Sequence, residues 1–258
     1  MKDILFAFIF LIQFVVNLIT KQKPSKFPKK RNKEYPQCSL INDLKKCDII
    51  AYRFKGKLDI VGGIISNITN SPYSHVEIHI KDGHDISATE NGVGFVDLYK
   101  NNIDNGEIVD IFRLKSGLTR EEENIIISKA YQTVLFPYDY VNLFAFPFLG
   151  KKLALKLSGN HAFICSEHIY WLFDNLGIQL KDGGIPSIQA PCDITLSDKL
   201  EYIGTYKHGV KLYDNLSNKF MEYQIYGKTT KIISNIIKKL SSVDDYYIGV
   251  NLNKREMI

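Results

Sequence analysis

Short stretches of alternating apolar and polar residues follow one another through the middle of the chain, which is the pattern of half-buried β-strands. A first strand, CDIIAYRFKG at 47–56, is mostly apolar and ends at a glycine. The turn sequences KDG, ENG and DNG separate the stretches that come after it. Because Asp-Gly and Asn-Gly pairs favour tight hairpins, we expect these later strands to form an antiparallel meander. They are SHVEIHI (74–80), HDISAT (84–89), GVGFVDL (92–98) and EIVDIFRL (107–114).

Helical patterns flank these strands on both sides. Thr119 followed by Glu122 is a capping box, and it predicts a helix that continues to about Val134. Strands and helices in separate stretches of the chain indicate an α+β fold, in which a small antiparallel sheet packs with helices. Three further helices are predicted from apolar spacing, at 58–69 (weakened by two glycines), at about 163–175 and at 231–243.

The chain begins with an apolar run, ILFAFIFLIQFVVNLI at 4–19, which a basic stretch containing prolines follows. Sixteen helical residues span roughly 24 Å, which is short of the ~30 Å hydrocarbon core of a bilayer. The run is therefore a signal-peptide region, a short anchor or an interfacial helix, although no small-residue cleavage site follows it. We expect the protein to be membrane-associated through this run, or secreted. The expected divisions are a hydrophobic signal or anchor segment (1–20), a basic linker (21–37), a folded domain (38–210) and a C-terminal extension with an amphipathic helix (211–258).

Composition supports a folded domain and argues against nucleic acid as a partner. The chain is 45% hydrophobic and has 15 Tyr and 15 Phe, which is enough to form a substantial core. Its net charge of +5 is concentrated before residue 34, where eight Lys and Arg accompany one Asp. Since the remainder is slightly acidic, the basic face of a protein that binds nucleic acid is not indicated.

Of the four cysteines, Cys165 has the surroundings of a nucleophile. No two cysteines have C-x-x-C spacing, so a zinc or redox pair has little support. In GNHAFICSEHIYWLF, Cys165 begins a helical apolar pattern, where the positive end of the helix favours a thiolate and main-chain N–H groups can receive an oxyanion. The alternative is a small buried apolar residue, as most free cysteines are. His161 and His168 lie nearby in sequence, but such histidines are more often structural or exposed.

The ordered set of motifs resembles the circularly permuted branch of the NlpC-like, papain-fold cysteine hydrolases. In particular it is similar to the YiiX-like group and its poxvirus relatives, and more distantly to lecithin retinol acyltransferase. The similarity covers roughly 44–205 and implies a permuted papain-like domain over 38–210. Cys47 replaces the family's glycine, and we interpret it as an ordinary first residue of a strand. The motifs are CDIIAY, SPYSHVEIHIKDG, ISATENGVGFVDL, FPYDYVNLF, FICSEHIYWLFDNLGI and PCDITLS.

The resemblance implies a nucleophile at Cys165 and a general base at His75. Ser87 stands at the position of the family's third polar residue, which orients the imidazole and is usually Glu or His. A serine stabilises an imidazolium less than a carboxylate does. Tyr138 of PYDY either lines the oxyanion site or packs in the core. The alternatives to Ser87 are Asp85 on the same strand face, Glu77 and Glu90.

The function implied by the resemblance is hydrolysis of amide or peptide-like bonds through a Cys-His acyl-enzyme, with no metal or organic cofactor. One alternative is an acyltransferase or phospholipase that uses the same pair on lipids, which the apolar N-terminus favours. A second alternative is a binding module without catalysis, which Ser87 at the orienting position favours.

Overall fold

The computed structural model describes residues 38–54, 62–63, 65–66, 69, 71–140, 162–182 and 189–213. Helical conformation is described at 62–63 and 65–66, within the stretch expected to be helical at 58–69. The apolar run at 4–19, the basic linker and the helix expected at 231–243 lie outside these residues.

In the described part of the chain, seven antiparallel strands form one sheet in the order β4-β3-β2-β1-β5-β6-β7. The class is α+β, as the sequence predicts, but the sheet is larger than expected because two strands follow residue 199. The strands are β1 (Ile49–Arg53), β2 (Tyr73–Lys81), β3 (His84–Thr89), β4 (Gly92–Asp97), β5 (Val109–Leu114), β6 (Leu200–Lys207) and β7 (Val210–Tyr213).

The helices begin where the sequence provides a cap or a break. The capping box is present, because the Glu122 amide donates to Thr119 Oγ1 at 3.2 Å and the Thr119 amide donates to the Glu122 carboxylate at 2.7 Å. A π-helical turn, Tyr99–Asp104, connects β4 to β5. The α-helices are α1 (Ser39–Asp43), α2 (Arg120–Gln132), α3 (Cys165–Asp174) and α4 (Pro191–Thr195).

The hairpin between β2 and β3 has the tight turn that KDG predicts. Asp82 and Gly83 have φ angles of 50° and 72°, and Lys81 pairs with His84 across the turn. A Cβ atom at Gly83 would lie 2.5 Å from the Tyr99 ring, so the turn needs glycine both for its backbone conformation and for space. A register shift between His79 and Lys81, next to this turn, places His79 opposite Asp85.

The predicted meander is correct for β2, β3 and β4 but wrong for β5. That strand pairs with β1 and β6, on the opposite side of the sheet from β4. Five of its six residues are buried, as expected of an interior strand that both faces of the sheet cover. The connection from β4 to β5 is held by Asn102. Its side-chain amide donates to the carbonyls of Glu107 and Tyr206 and accepts from the Gly209 amide.

The two faces of the sheet have separate hydrophobic cores. One contains Val76 and Ile78 of β2 together with the apolar face of α3, and burying Leu172 or Phe173 there stabilises the fold by about 1.5–3 kcal/mol each. The other contains Ile50 and Tyr52 of β1 with Leu40 of α1. At β2 the sheet is thus covered by α3 on one face and by the second hydrophobic core on the other.

Cys47 is not the ordinary first residue of a strand that we expected. Its φ angle is 63°, in the left-handed region where a side chain costs about 1–2 kcal/mol and glycine costs nothing. This conformation gives a physical reason for a glycine at the corresponding position of the resembling family. The side chain is buried, and its sulfur lies 3.8 Å from the Glu123 carbonyl.

A buried ion pair anchors the beginning of β2. Arg53 Nε lies 3.1 Å from Asp110 Oδ2, and the Tyr73 hydroxyl donates to the same oxygen at 2.6 Å. Thr205 Oγ1 donates to the other oxygen of Asp110 and accepts from Arg53. Asp110 is fully buried, so its charge depends on these donors.

Replacing Asp110 by alanine should destabilise the protein by about 3–5 kcal/mol, because it leaves the Arg53 charge buried without its carboxylate. Chemical denaturation of the wild type and the variant measures the difference. The control is Asp182→Ala, which removes an ion pair with Lys199 at a site where the Asp182 side chain is 84% exposed. Equal effects of the two substitutions would contradict this assignment.

Candidate active site

Cys165 is the first residue of α3, and the chain before it is fixed by pairing with an earlier segment. Phe163 and Tyr138 form an isolated parallel bridge, in which the Asp139 amide donates to the Phe163 carbonyl at 3.1 Å. Ile164 is extended, and the Glu167 carboxylate accepts a hydrogen bond from its amide at 3.4 Å. The Cys165 side chain therefore lies at the positive end of the helix.

His75 lies beside a bulge in β2. Tyr52 of β1 pairs with His75, but the next residue, Arg53, pairs with Tyr73, so β2 has one extra residue at Ser74. Bulges of this kind redirect a side chain at the end of a ladder. The His75 ring packs at a tilt on Tyr52, with a centroid distance of 5.9 Å, and its side chain is 25% exposed. Solvent or a substrate can therefore reach the imidazole.

Cys165 and His75 lie close enough for each to shift the pKa of the other. The main-chain N–H groups of Val76 and Ser166 are also near the sulfur and favour the thiolate. Burial alone would raise the pKa of the thiol, but the charge and hydrogen bond of His75 outweigh it and lower the pKa of Cys165 below 9.0. Burial likewise opposes charge on His75, yet Cys165 and Glu77 together raise the pKa of His75 above 6.5.

Hydrogen bonds around Ser87 fix which imidazole nitrogen carries a proton. The Ser87 hydroxyl donates its one hydrogen to the Val76 carbonyl at 3.0 Å. Ser87 Oγ lies 2.8 Å from His75 Nε2, and Glu77 Oε1 lies 3.2 Å from the same nitrogen. Both oxygens must then accept from Nε2–H, which leaves Nδ1 for the thiol.

The other residues expected at the site are Tyr138, Asp85 and Glu90, and their contacts differ. Tyr138 is buried close to the thiol, and burial together with the Cys165 charge raises the pKa of its phenol well above 10. Asp85 contacts His79, 2.7 Å away, rather than His75. The main-chain carbonyl of Glu90 accepts a hydrogen bond from the Tyr140 hydroxyl at 2.7 Å. Within the described residues, Ser87 and Glu77 contact Nε2 of the His75 ring, and Cys165 is the further group that raises the pKa of the ring.

His168 has a structural environment. Its Nε2 lies 2.8 Å from Thr133 Oγ1, which donates its own hydrogen to the Ala130 carbonyl. Burial lowers the pKa of His168 to about 3, so the ring is neutral. His161 lies outside the described residues. All four cysteines are free, and burial raises the pKa of Cys47 and of Cys192 to about 12.

The contact between Glu77 and the imidazole could have been found from the strand pattern. Glu77 follows His75 by two residues, so in an extended strand both side chains lie on one face. The same alternation places His79 further along that face, and a register shift before Lys81 sets it opposite Asp85. No residue spacing, however, indicates that a bulge at Ser74 turns His75 toward α3.

No protein-family model matches the sequence, and no curated protein matches it. Among solved structures, the chain is similar to the crystal structure of the metalloprotein YiiX from Escherichia coli O157:H7. The match has 18% identity and a TM-score of 0.48, and it covers 64% of this chain and 99% of that chain.

The described residues contain no group of three or more His, Cys, Asp or Glu side chains that could hold a metal ion. None of the helices in the described ranges is long and apolar enough to cross a bilayer.

We expect iodoacetamide to alkylate Cys165 near neutral pH much faster than Cys47 or Cys192, because its pKa is lowered and theirs are raised. The alkylation rate should rise as the pH increases through the lowered Cys165 pKa, since only the thiolate reacts. His75→Ala should move this midpoint upward and reduce the rate at pH 7 by about tenfold or more. Peptide mass spectrometry resolves the cysteines, and an unchanged rate in His75→Ala would contradict the pairing.

Proposed function

We propose that the protein is a cysteine hydrolase of amide or peptide-like bonds, with Cys165 as the nucleophile and His75 as the general base. The observation that carries this proposal is a thiol at a helix N-terminus whose pKa is lowered by a nearby imidazole, together with the two acceptors that occupy Nε2 of that imidazole. Cysteine, base and orienting group thus form a linked set, which is the arrangement that nucleophilic catalysis requires.

The chemistry proceeds in two half-reactions. His75 takes the thiol proton, and the sulfur adds to the substrate carbonyl carbon to form a tetrahedral oxyanion. The carbon–nitrogen bond then breaks as the imidazolium returns the proton to the leaving amine, which leaves a thioester on Cys165. Water, deprotonated by His75, attacks the thioester and releases a carboxylic acid and the free thiol. Neither a metal ion nor an organic cofactor takes part.

Tyr138 is placed to assist the oxyanion. Burial and the nearby thiolate raise the pKa of its phenol, so the group remains a neutral donor near Cys165. The amide groups at the beginning of α3 provide further donors. We assign Tyr138 the role of lining the site where charge develops in the tetrahedral intermediate.

The proposed fold is a circularly permuted papain-like domain. In papain-type proteases the cysteine lies near the N-terminus and the histidine follows it in sequence. In this chain the order is reversed, because β2 carries His75 and α3 begins at Cys165 much later. The packing of α3 on β2 and β3 supports the same arrangement of helix and sheet.

A cysteine-directed acyl probe should label Cys165 covalently, and Cys165→Ala should abolish the labelling. His75→Ala should reduce the labelling rate by about 10²–10⁴-fold, the usual contribution of a positioned general base. Intact-protein mass spectrometry with peptide mapping detects the adduct. Thermal unfolding of both variants shows whether they remain folded. Absence of labelling in the folded wild type would favour a binding module without catalysis.

A lipid acyl substrate is the second candidate, and the apolar run at 4–19 is the observation that favours it. An enzyme held at a bilayer meets lipid esters at high local concentration. We expect the full chain to release product from peptide-like amides at a rate that deletion of residues 1–20 does not change. Faster release from phospholipid vesicles, lost on deletion of 1–20, would instead establish the lipid reaction.

A further inference from the structure

Two buried carboxyl groups lie side by side on the sheet behind the imidazole. Glu77 is on β2 and Asp85 is on β3, on the face of the sheet that carries His75 and His79. Their exposed fractions are 2% and 0%, so neither is solvated. Two charged carboxylates in such a place would repel one another and would lack the hydration that stabilises them.

Each carboxyl group has one oxygen with a donor and one without. Glu77 Oε1 accepts from His75 Nε2 at 3.2 Å, and Asp85 Oδ1 lies 2.7 Å from His79 Nδ1. Within the described residues, Glu77 Oε2 and Asp85 Oδ2 are both buried and have no donor. The two side chains lie on neighbouring strands, and burial together with the charge and hydrogen bonding of Glu77 raises the pKa of Asp85.

A single shared proton accounts for all of these contacts. Two ionised carboxylates have no hydrogen to place between them, whereas a protonated one donates to its neighbour and satisfies both remaining oxygens. Of the two, Glu77 lies next to the His75 ring, whose Nε2 is 3.2 Å from Glu77 Oε1. Asp85 also faces negative charge from Asp97 on β4 and from Asp48 before β1. The proton therefore belongs to Asp85.

His79 completes the chain of hydrogen bonds as a neutral donor. Burial lowers its pKa to about 4, so at neutral pH it has no positive charge with which to ionise Asp85. Its Nδ1–H donates to Asp85 Oδ1, and its main-chain amide donates to the Asp48 carbonyl at 2.8 Å. The imidazole thus fixes the orientation of the Asp85 carboxyl group.

We propose that Asp85 is a protonated carboxylic acid that donates to Glu77, and that Glu77 is the carboxylate that positions and charges His75. Because it assigns Glu77 a role beside the reacting pair, this inference rests on the proposed function. Ser87 then fixes the plane of the His75 ring through its hydroxyl, while Glu77 supplies the negative charge that a serine cannot supply. The charge that the resembling family places on the neighbouring strand comes in this chain from β2 itself.

Infrared spectroscopy of the full chain tests the protonation directly. At neutral pH the wild type should show the carbonyl stretch of a buried un-ionised carboxyl group, and Asp85→Asn should lack that band. The band should persist in Cys165→Ala, since it does not depend on the nucleophile. Absence of the band in the wild type, or its persistence in Asp85→Asn, would overturn the proposal.

The pH profile of Cys165 alkylation tests the positioning role. Glu77→Gln should raise the midpoint and slow alkylation at pH 7 by about tenfold, because the carboxylate charge is lost. Asp85→Leu should also raise the midpoint of alkylation. Asp85→Asn should keep the midpoint close to that of the wild type, since an amide donates to Glu77 and accepts from His79 as the acid does. An Asp85→Asn midpoint as high as that of Glu77→Gln would overturn the proposal.

Different experiments test the hydrolase proposal and the inference about Asp85. If the hydrolase proposal is wrong, the acyl probe does not react with Cys165, yet the infrared band is still present. If only the inference about Asp85 is wrong, Cys165 reacts with the probe and the band is missing. Thermal unfolding of Glu77→Gln and Asp85→Leu identifies any variant that has lost its fold. The infrared band of the wild type tests the protonation of Asp85 without any substitution.

Discussion

The thiol of Cys165 is held between the N-terminus of α3 and the strand β2, and both the packing and the chemistry depend on this contact. The helix supplies a positive end and a main-chain N–H, while β2 supplies the N–H of Val76 and the imidazole of His75. Apolar residues of α3 pack with Val76 and Ile78 of β2, so the hydrophobic core sets the distance between helix and strand. Precise placement of a reactive group therefore comes from ordinary core packing rather than from a flexible loop.

Polar side chains along β2 are fixed by partners on β2 itself, on β3 and on β5. Tyr73 donates to buried Asp110 on β5, Glu77 accepts from His75, and His79 contacts Asp85 on β3. Buried polar groups of this kind are costly unless they are fully hydrogen-bonded, and a satisfied network holds its members in one arrangement. These networks lie on either side of His75 and limit the ring to the orientation in which Nδ1 faces the thiol.

Local sequence signals predicted the parts of the fold that depend on neighbours in the chain. The Asp82–Gly83 hairpin, the Thr119 capping box and the helix at Cys165 all follow from a few adjacent residues. The pairing of β5 with β1 was not predicted, because it depends on Asn102 holding a connection against residues about a hundred positions away. Neither was the conformation of Cys47, since its side chain gives no sign of a left-handed φ. The candidate pair was located through motif order, whereas the role of Glu77 needed the register between strands.

The central claim is that His75 lowers the pKa of Cys165 while Cys165 raises the pKa of His75, so that each stabilises the charged form of the other. An NMR titration of the folded protein, with ¹³C at the Cys165 Cβ and ¹⁵N in the His75 ring, measures both protonation states together. The account predicts a thiolate shift at Cys165 well below pH 9.0, with His75 still protonated above pH 6.5. A thiol that persists beyond pH 9.0, beside a histidine that loses its proton independently near pH 6.5, would contradict it.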